Sequence, residues 1–508
     1  MLIPYDLKKV IGDPIHGYIP LTELEYAIIQ LPIMNRLHYL RQTQTAYLTF
    51  PGSVSTRFSH VLGALHIGYK IISHLFSSIT KTEYAKLFPT INNPEFLIDA
   101  VRMACLFHDL GHGPFSHAGE DTMFKVIKNN YPTEFKEAKA LFGISDLNEN
   151  KLPTHEYFSY KIITDEQSSI RETIVRHRKN GKKLLEAISQ LLIKDESAKI
   201  VKDNILGFRI LRKIVSSHLD ADRMDYLLRD SLMSGVQFGQ IDNNRIINNM
   251  AIKKDGKGDY QIAFHERSIG NIEDMLDARF KMYHWFYNHH TVIMTNELMK
   301  RAIVLMIEMD KSVEELFHWS KFEDGFSTDD YLLTKLRECY KKNQKKFREV
   351  LGLLDRRYLP TAIFKATPEV ARFIDKITSV DGIHEDDKAK LKKIISYFHD
   401  KNGAEQLKEK LEAEGGYYKH CKIYQTDFHS NPYSPLDPDT DKIFLYRHDE
   451  KNLCELWSES PYFKKINEAY EEITTLSVFF VIPGKFKREV ESQKEKIIGI
   501  LAASIAKS

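Results

Sequence analysis

One short segment, CLFHDLGHGPFSHAGE at residues 105–120, constrains this chain more than any other part of it. His108 and Asp109 follow a stretch with the apolar spacing of a buried helix, and both side chains can turn toward one site at its end. His112 lies one helical turn after His108, and the glycines and proline that follow end the helix and present His117 from the next turn. The segment therefore predicts a helical fold in which a buried helix ends at a histidine and carboxylate cluster.

The apolar pattern predicts a mainly α protein. Residues from about 22 to 410 carry apolar side chains at three- and four-residue spacing, most clearly over 60–76, 96–110 and 210–232. A glycine-containing turn between two β-prone runs predicts a short ribbon over 249–264. Residues before position 21 are predicted to be extended or in turns.

The pattern changes near residue 415, where a smaller C-terminal α+β lobe is predicted. HCKIYQTDF, DKIFLYRH and LSVFFVIPGKF have the composition of strands, and a helix is expected over 461–473. The fold class we predict is therefore a helical body followed by this lobe.

Composition excludes several classes of protein. The chain has 508 residues, and 72 Lys and Arg against 70 Asp and Glu leave a net charge of only +2, which gives a nucleic-acid partner little support. The four cysteines are too far apart for a disulfide framework or a zinc ribbon. No signal-peptide pattern and no apolar run of membrane-spanning length is found, so we expect a cytoplasmic protein without membrane association.

Two further residues complete a candidate set of metal ligands with His108 and Asp109. His60 lies in STRFSHVLG, and Asp222 lies in HLDADRMDYLLRD. Two imidazoles and two carboxylates suit iron, manganese, zinc or a similar divalent ion that keeps open positions for water and phosphate. A single histidine in a helix is usually a surface or core residue, so the prediction depends on the whole group.

The order of these motifs resembles one enzyme family. RFSHVLG, HDLGHGPFSH, THEYF at 154–158 and HLDADRMDYLLRD are similar to the motifs of HD-domain deoxynucleoside triphosphate triphosphohydrolases. The pattern is nearest to that of the animal enzymes with a sterile-alpha-motif domain, and more distant from bacterial dGTPases. The similarity runs from residues 9–19 to 286–294 and resumes at 437–446, so we expect no sterile-alpha-motif domain before it.

The resemblance implies a reaction and a role for each matching residue. Water attacks the α-phosphorus of a deoxynucleoside triphosphate, and deoxynucleoside and inorganic triphosphate are released. The implied metal ligands are His60, His108, Asp109 and Asp222. His117 is the implied general acid, with Glu120 orienting it, His112 contacting the α-phosphate and His155 supporting the network.

Substrate contacts are implied in the same way, with magnesium accompanying the nucleotide. The matching positions are Arg57, Arg223 and Arg279 for the triphosphate, Gln42 and Asp230 for the 3′-hydroxyl, Tyr226 and Tyr287 for the sugar, and Asn288 near the base. Asn288 stands where the animal enzymes have glutamine, which leaves the base preference open.

A regulatory nucleotide site between subunits is also implied, but it departs from the family pattern. Its matching positions are Lys9, Val10, Gln30, His38, Arg245 and Arg267. Gln30 replaces the aspartate that reads guanine, so the acceptor for the guanine N1–H and N2–H groups is lost. We therefore expect activation by GTP to be lost or replaced by another nucleotide.

The family pattern suggests a division into four parts and a homo-oligomer, either dimer or tetramer. The parts are residues 1–50 with substrate and regulatory contacts, 51–310 as an HD phosphohydrolase core, 311–414 as a helical extension, and 415–508 as the lobe for oligomerisation and regulation. Three other functions remain open: another HD nucleotide phosphatase or phosphodiesterase, a nuclease, and a nucleotide-sensing assembly protein.

Overall fold

The computed structural model describes residues 7–193 and 196–355. Beyond these it describes residues 359, 361–362, 403–413, 422–428, 442–447, 453–462, 475–481, 496–497, and 500. Within these residues the protein is mainly helical, so the predicted fold class is confirmed. None of the described helices is long and apolar enough to cross a membrane.

The helices follow one another with short connections over most of the described chain. They are α1 (Glu23–Ile29), α2 (Pro32–Asn35), α3 (Arg57–Ser78), α4 (Lys81–Leu87), α5 (Pro94–Phe107), α6 (His117–Asn130), α7 (Pro132–Phe142), α8 (Thr154–Thr164), α9 (Ser169–His177), α10 (Gly181–Leu192), α11 (Lys199–Lys202), α12 (Ile205–Val215), α13 (Ala221–Ser234), α14 (Asn243–Asn248), α15 (Ile269–Lys281), α16 (His290–Met309), α17 (Asp329–Lys342), α18 (Gly403–Ala413) and α19 (Leu456–Glu459). Short 3₁₀ turns lie at Arg36–Tyr39, Ala46–Leu48, Asp146–Lys151, Glu266–Ser268, Lys311–Phe317, Trp319–Lys321 and Arg348–Leu353, and a π-helical turn lies at Met282–Tyr287.

The strands among the described residues form three small sheets. They are β1 (Lys9–Asp13), β2 (Gly17–Leu21), β3 (Met250–Lys254), β4 (Tyr260–His265), β5 (Thr361–Ala362), β6 (Lys422–Phe428), β7 (Phe444–Tyr446), β8 (Cys454–Glu455) and β9 (Thr475–Val481). β1 and β2 form an antiparallel hairpin, and the other sheets have the strand orders β3-β4-β7-β8 and β5-β9-β6. The predicted ribbon is therefore found, and β7 joins it in parallel with β4.

The described residues fall into two compact units. The first lies within Met1–Met282, Met306–Leu336 and Pro435–Lys464, and the second within Tyr283–Leu305, Arg337–Ser434 and Lys465–Ser508. The four-part division expected from the family pattern stays a prediction.

Three helices of the first unit form the centre around which the site is built. α3 packs against α5 and α13. Local sequence explains where each begins: Thr56, Asn93 and Asp220 accept a hydrogen bond from a backbone N–H of the first turn, as N-cap side chains do. The start of α3, the end of α5 and the start of α13 meet at one place, where His60, His108 and Asp222 lie close together.

Helix boundaries differ from the sequence-based expectation at two points. The helix predicted over 96–110 ends at Phe107, so His108 is its C-cap and the residues after it form a loop. The helix predicted over 210–232 is split into α12 and α13, because Ser217 and Arg223 both donate backbone N–H groups to Asp220 and start a new helix. Most of the helix predicted over 461–473 lies outside the described residues.

Gly63 on α3 allows the close approach of α13. A Cβ atom at this position would lie 1.8 Å from Asp225 Oδ1 and 2.6 Å from Arg229 Nη2. Both groups are buried and held by ion pairs, so neither can move aside easily. The glycine is therefore required by contact between the helices.

We expect Gly63→Ala to lower the free energy of unfolding by about 1–3 kcal/mol, because overpacking of this size forces the helices apart. Gly256→Ala is the matched control, since a Cβ there meets nothing within 4 Å. Denaturant unfolding of both variants checks the prediction, and equal stabilities would contradict it.

Candidate active site

Three predicted ligands converge at the junction of α3, α5 and α13. His60 Nε2 lies 3.0 Å from Asp222 Oδ1 and 3.3 Å from His108 Nε2. His108 Nε2 lies 3.5 Å from the same oxygen of Asp222. These atoms are close enough to share one metal ion. We call His60, His108 and Asp222 the triad.

A hydrogen bond on the side away from the triad fixes which nitrogen of each imidazole faces the centre. His60 Nδ1–H donates to Asp225 Oδ2 at 2.8 Å, and His108 Nδ1–H donates to the carbonyl of Cys105 at 2.8 Å. Both Nε2 lone pairs are therefore left to face Asp222. Outer hydrogen bonds of this kind orient metal-binding histidines, and two imidazole nitrogens with a carboxylate oxygen fit a divalent transition metal.

Asp109, the fourth predicted ligand, lies beside the triad. Its Oδ1 is 3.5 Å from His108 Nε2, and its Oδ2 is 3.5 Å from His60 Nε2. Oδ2 also accepts a hydrogen bond from Arg57 Nη1. Burial would raise the pKa of Asp109, but Arg57 lowers it well below its usual range. Its carboxylate is ionised and near the centre, and its role as a ligand stays a prediction.

A second cluster of side chains lies next to the triad. His117 Nδ1–H donates to Glu120 Oε2 at 2.9 Å, and His155 Nδ1 hydrogen-bonds to Glu120 Oε1. The His112 ring stacks on that of His155 with centroids 4.0 Å apart. His112 Nε2 lies 3.4 Å from Asp109 Oδ1, which links the two clusters. Within this cluster the Glu120 carboxylate therefore holds His117 through Nδ1, and the Nε2 atom of His117 is left to contact a ligand.

Charge within this cluster is set by burial and by its own ion pairs. Burial would raise the pKa of Glu120, but His117 and His155 lower it far below its usual range. Burial would lower the pKa of His155, but Glu156 and Glu120 raise it to about 9. Burial itself lowers the pKa of His112, and Arg57 lowers it further. A charged Glu120–His155 pair therefore lies beside a neutral His112.

The loop between α5 and α6 is held by a buried arginine. Arg36 Nη1 donates to the carbonyl of His112 at 2.7 Å and to that of Ser327 at 3.2 Å, and Nη2 donates to the carbonyl of Leu110 at 2.7 Å. These bonds satisfy carbonyls left without helical partners after α5 ends. Arg36 therefore positions the loop that carries His108, Asp109 and His112.

The last residues of this loop have strained backbone conformations. Phe115 and Ser116 have φ angles of 58° and 48°, which cost energy for residues other than glycine. Asp329 on α17 accepts the Phe115 N–H at 2.6 Å and the Arg41 N–H at 2.9 Å. Arg57 Nε donates to Ser116 Oγ at 2.8 Å. These contacts hold the strained turn from which α6 begins.

Family models match this part of the chain. The HD domain matches residues 57–230, and the HD-associated region matches residues 241–396. The chain is an HD-domain protein. Every residue of the triad lies inside the matched HD domain, and so do the residues of the second cluster, His112, His117, Glu120 and His155. HD domains belong to a superfamily of metal-dependent phosphohydrolases.

Curated relatives of this HD-domain protein include enzymes and uncharacterised proteins. An uncharacterised protein from Methanocaldococcus jannaschii is 30% identical over 300 residues, covering 59% of this chain and 50% of the relative. The deoxynucleoside triphosphate triphosphohydrolase SAMHD1 of Gallus gallus is 26% identical over 393 residues, covering 75% and 60%. The SAMHD1 of Homo sapiens is 29% identical over 299 residues, covering 56% and 43%. The chain thus spans about half the length of these relatives.

Solved structures show the same fold at low sequence identity. A hypothetical protein from Aquifex aeolicus superposes with a TM-score of 0.61 at 18% identity, covering 96% of this chain and 99% of its own. A phosphohydrolase from Bacteroides thetaiotaomicron superposes with a TM-score of 0.59 at 21% identity, covering 94% and 100%. At these identities the comparison concerns the fold alone.

The predicted substrate residues of the HD domain lie at different distances from the triad. Tyr226 lies beside the triad, because its ring centroid is 6.5 Å from that of His60 in an edge-to-face arrangement. Arg223 folds back on Asp220 and the carbonyl of Ser217. Asp230 is buried on α13. Arg223, Tyr226 and Asp230 therefore lie on three successive turns of α13.

The remaining predicted substrate residues are less closely connected. Gln42 lies between α2 and α3, with its N–H donated to the carbonyl of Ser55 at 2.9 Å. Arg279 lies in the last turn of α15. Tyr287 and Asn288 belong to the second compact unit, where the Asn288 N–H donates to the carbonyl of Tyr283 at 2.9 Å. Their roles stay predictions.

The predicted regulatory residues all lie on the surface. The exposed residues are Lys9, Val10, Gln30, His38, Arg245 and Arg267. Two of them meet at Tyr26: Lys9 Nζ lies 5.2 Å from its ring centroid, and Gln30 Nε2 donates to its carbonyl at 3.0 Å. His38 stacks on Phe58 with centroids 3.6 Å apart. A shared nucleotide site stays a prediction.

Several residues that hold the site were not predicted from the sequence. Asp225 and Arg229 lie in the motif HLDADRMDYLLRD, one and two helical turns from Asp222, and this spacing could have revealed them. His16 lies within residues 9–19, where the family similarity begins, but no local spacing connects it to the other motifs. Arg36 and Asp329 lie far from the motifs along the chain, and no local signal marks them. Their roles come from contacts that only the fold creates.

The charged pair of His155 and Glu120 predicts a pH dependence of stability. The folded-state pKa of about 9 exceeds the unfolded value of about 6.5, so the contribution of His155 is complete below about pH 6.5 and is lost as pH rises through about 9. With metal removed, His155→Gln should therefore reduce the free energy of unfolding more at about pH 6 than at about pH 9.5. Denaturant unfolding at both pH values measures the loss of stability, and His177→Gln, at an exposed position on α9, is the control. A loss independent of pH would contradict the assignment.

Proposed function

We propose that this HD-domain protein hydrolyses deoxynucleoside triphosphates to deoxynucleoside and inorganic triphosphate. The observation that carries the proposal is the position of the His117–Glu120 pair next to the triad. A phosphate ester bound at the triad would then have a proton donor beside it. The similarity to deoxynucleoside triphosphate triphosphohydrolases supports the choice of substrate.

The proposed metal site consists of His60, His108 and Asp222, with Asp109 as the fourth ligand. A divalent ion such as iron, manganese or zinc would supply Lewis-acid activation of water and neutralise phosphate charge there. Asp225 and the carbonyl of Cys105 keep both imidazoles in the tautomer with Nε2 toward the site. The magnesium that accompanies the nucleotide is part of the substrate.

His117 is the proposed general acid. In the reaction, the oxygen of water bonds to the α-phosphorus and gives up a proton to solvent, the bond from phosphorus to the 5′-oxygen breaks, and His117 Nε2 gives its proton to the 5′-oxygen. His117 then regains a proton from solvent. Glu120 supports this step because its carboxylate accepts the hydrogen bond from Nδ1–H, which orients the ring and leaves Nε2 for the substrate. His155 holds the other oxygen of Glu120 and keeps the carboxylate in place.

Other residues are proposed to bind the substrate. Arg57 is buried between Asp109 and Ser116, so its charge lies next to the position of the α-phosphate. His112, neutral beside Arg57, can accept or donate a hydrogen bond there. Gln42 Oε1 is buried and has no hydrogen-bond partner among the described residues. A sugar hydroxyl would supply that partner, in agreement with its proposed contact with the 3′-hydroxyl.

The remaining parts of the proposal rest on the family resemblance. They are a cytoplasmic homo-oligomer, dimer or tetramer, with a regulatory nucleotide site at the six exposed residues and oligomer contacts in residues 415–508. Because Gln30 lacks the carboxylate that would accept the guanine N1–H and N2–H groups, we propose that GTP does not activate this protein.

We expect purified protein with manganese or iron to convert deoxynucleoside triphosphates to deoxynucleoside and triphosphate. Each of the four deoxynucleotides and four ribonucleotides is tested singly and then in mixtures, and chromatography separates the products. Mixtures containing GTP should show no activation by it. Release of pyrophosphate or orthophosphate would instead assign another HD phosphohydrolase activity, and absence of turnover in every mixture would favour a nucleotide-sensing protein.

His117→Ala should reduce the turnover rate by about 10²- to 10⁴-fold, since general-acid catalysis contributes about that factor. His177→Ala is the matched control, because this histidine is exposed on α9, where its Nδ1 hydrogen-bonds to the carbonyl of Thr173. Steady-state rates and the unfolding midpoint are measured for both. Unchanged turnover in the His117 variant would rule out its role as the acid.

Removing the metal should abolish turnover. Dialysis against a chelator removes the ion that activates water, and manganese or iron should restore the rate. Asp222→Asn should lose both the bound metal, measured by elemental analysis, and the activity, since it replaces a carboxylate ligand with an amide. Full activity of the metal-free protein would contradict the proposed mechanism.

A further inference from the structure

The carboxylate of Asp225 lies outside the triad and receives four hydrogen bonds. His60 Nδ1 donates to Oδ2 at 2.8 Å, and His16 Nε2 donates to Oδ1 at 2.6 Å. Arg229 donates to both oxygens, from Nε at 2.8 Å and from Nη2 at 2.9 Å. Asp225 is fully buried. The plane of the Asp225 carboxylate is therefore held by groups from three separate parts of the chain.

The β1–β2 hairpin supplies one of those parts. His16 lies in its turn, and Asp13 at the end of β1 accepts a hydrogen bond from Arg229 Nη1 at 2.8 Å. The other oxygen of Asp13 accepts the backbone N–H groups of Ile15 and His16, each at 2.9 Å. Asp13 thus shapes the turn that aims His16 at Asp225 and also holds Arg229.

The packing on the other side encloses the carboxylate of Asp225 closely. Gly63 on α3 leaves room for Oδ1, which lies where a Cβ would otherwise be. Arg229 is buried with its side chain 1% exposed, and that of His16 is 8% exposed. Water therefore has little access to replace a lost donor, and each donor matters for the orientation of the carboxylate.

We propose that the N-terminal hairpin is a structural part of the metal centre, with His16 and Asp13 as positioning residues for the ligand His60. His16 holds Oδ1 of Asp225 so that Oδ2 points at His60 Nδ1, which keeps the lone pair of Nε2 toward the triad. Without His16, Asp225 loses one of its four hydrogen bonds, so its carboxylate is less firmly oriented and holds His60 less well. The inference rests on the proposed function in one respect, namely that the triad binds a divalent metal.

The expected size of the effect follows from other metal sites. Loss of an outer hydrogen bond to a ligating histidine weakens metal affinity by about 10- to 100-fold. His16→Phe keeps a ring of similar volume and removes the donor. His16→Gln places an amide N–H near the position of Nε2 and should restore most of the affinity. In the native hairpin, Arg229 and two backbone amides use both carboxylate oxygens of Asp13. Asp13→Asn leaves only one acceptor oxygen, so this variant should also weaken metal binding.

The test is a titration of the metal-free full-length protein with Co²⁺, followed by its visible absorption. Wild type, His16→Phe, His16→Gln and Asp13→Asn are compared with Tyr18→Ala, a control in the same hairpin whose side chain is exposed. Unfolding by denaturant is measured for every variant without metal. We expect His16→Phe to bind Co²⁺ about 10- to 100-fold more weakly with an altered spectrum, and Tyr18→Ala to match the wild type.

Each outcome separates this inference from the proposed function. Failure of the wild type to bind Co²⁺ would remove the metal site itself, and with it both proposals. Binding by the wild type with equal affinity and spectrum in His16→Phe would overturn the role of the hairpin and leave the proposed function intact. An equal loss in His16→Phe, His16→Gln and Tyr18→Ala would show a general effect of the hairpin on folding, and would also overturn it.

Discussion

The buried carboxylate of Asp225 is the interaction on which the rest of the site depends. It is shared by His60 of the triad, Arg229 of its own helix and His16 of the N-terminal hairpin. A buried charge is tolerated only when it is paired and hydrogen-bonded, and here four donors meet that requirement. The same bonds that satisfy the charge therefore also fix the direction in which His60 presents its Nε2.

The second requirement is a loop that places two clusters side by side. Helix α5 ends at Phe107, and the residues that follow have backbone carbonyls and N–H groups that no helix satisfies. Arg36 binds the carbonyls, and Asp329 binds the N–H of strained Phe115. Gly111 lets α8 approach, since a Cβ there would lie 2.1 Å from the carbonyl of His155. Strain at the turn before His117 is therefore offset by buried bonds from distant elements.

Most residues of the two clusters could be predicted from local sequence, because they lie in short motifs. His108, His112 and His117 are close in the chain, and the sequence pattern places them at and just after the end of one buried helix. The bonds that orient them could not be predicted in this way. Asp225 binds His16 across 209 residues and Asp329 binds Phe115 across 214. Neither pair has a periodic signal, since each arises only when separate helices pack.

The sequence by itself therefore determined the mainly helical class, the short ribbon and the histidine and carboxylate motifs from which the two clusters are built, since these depend on residue type and on spacing within a helix. Only the tertiary structure decided which atoms converge. His60 and His108 are brought to 3.3 Å by the packing of α3 on α5. The choice of Nε2 as the free nitrogen depends on Asp225 and Cys105. Packing creates these contacts, because buried polar groups must find partners wherever the chain brings them.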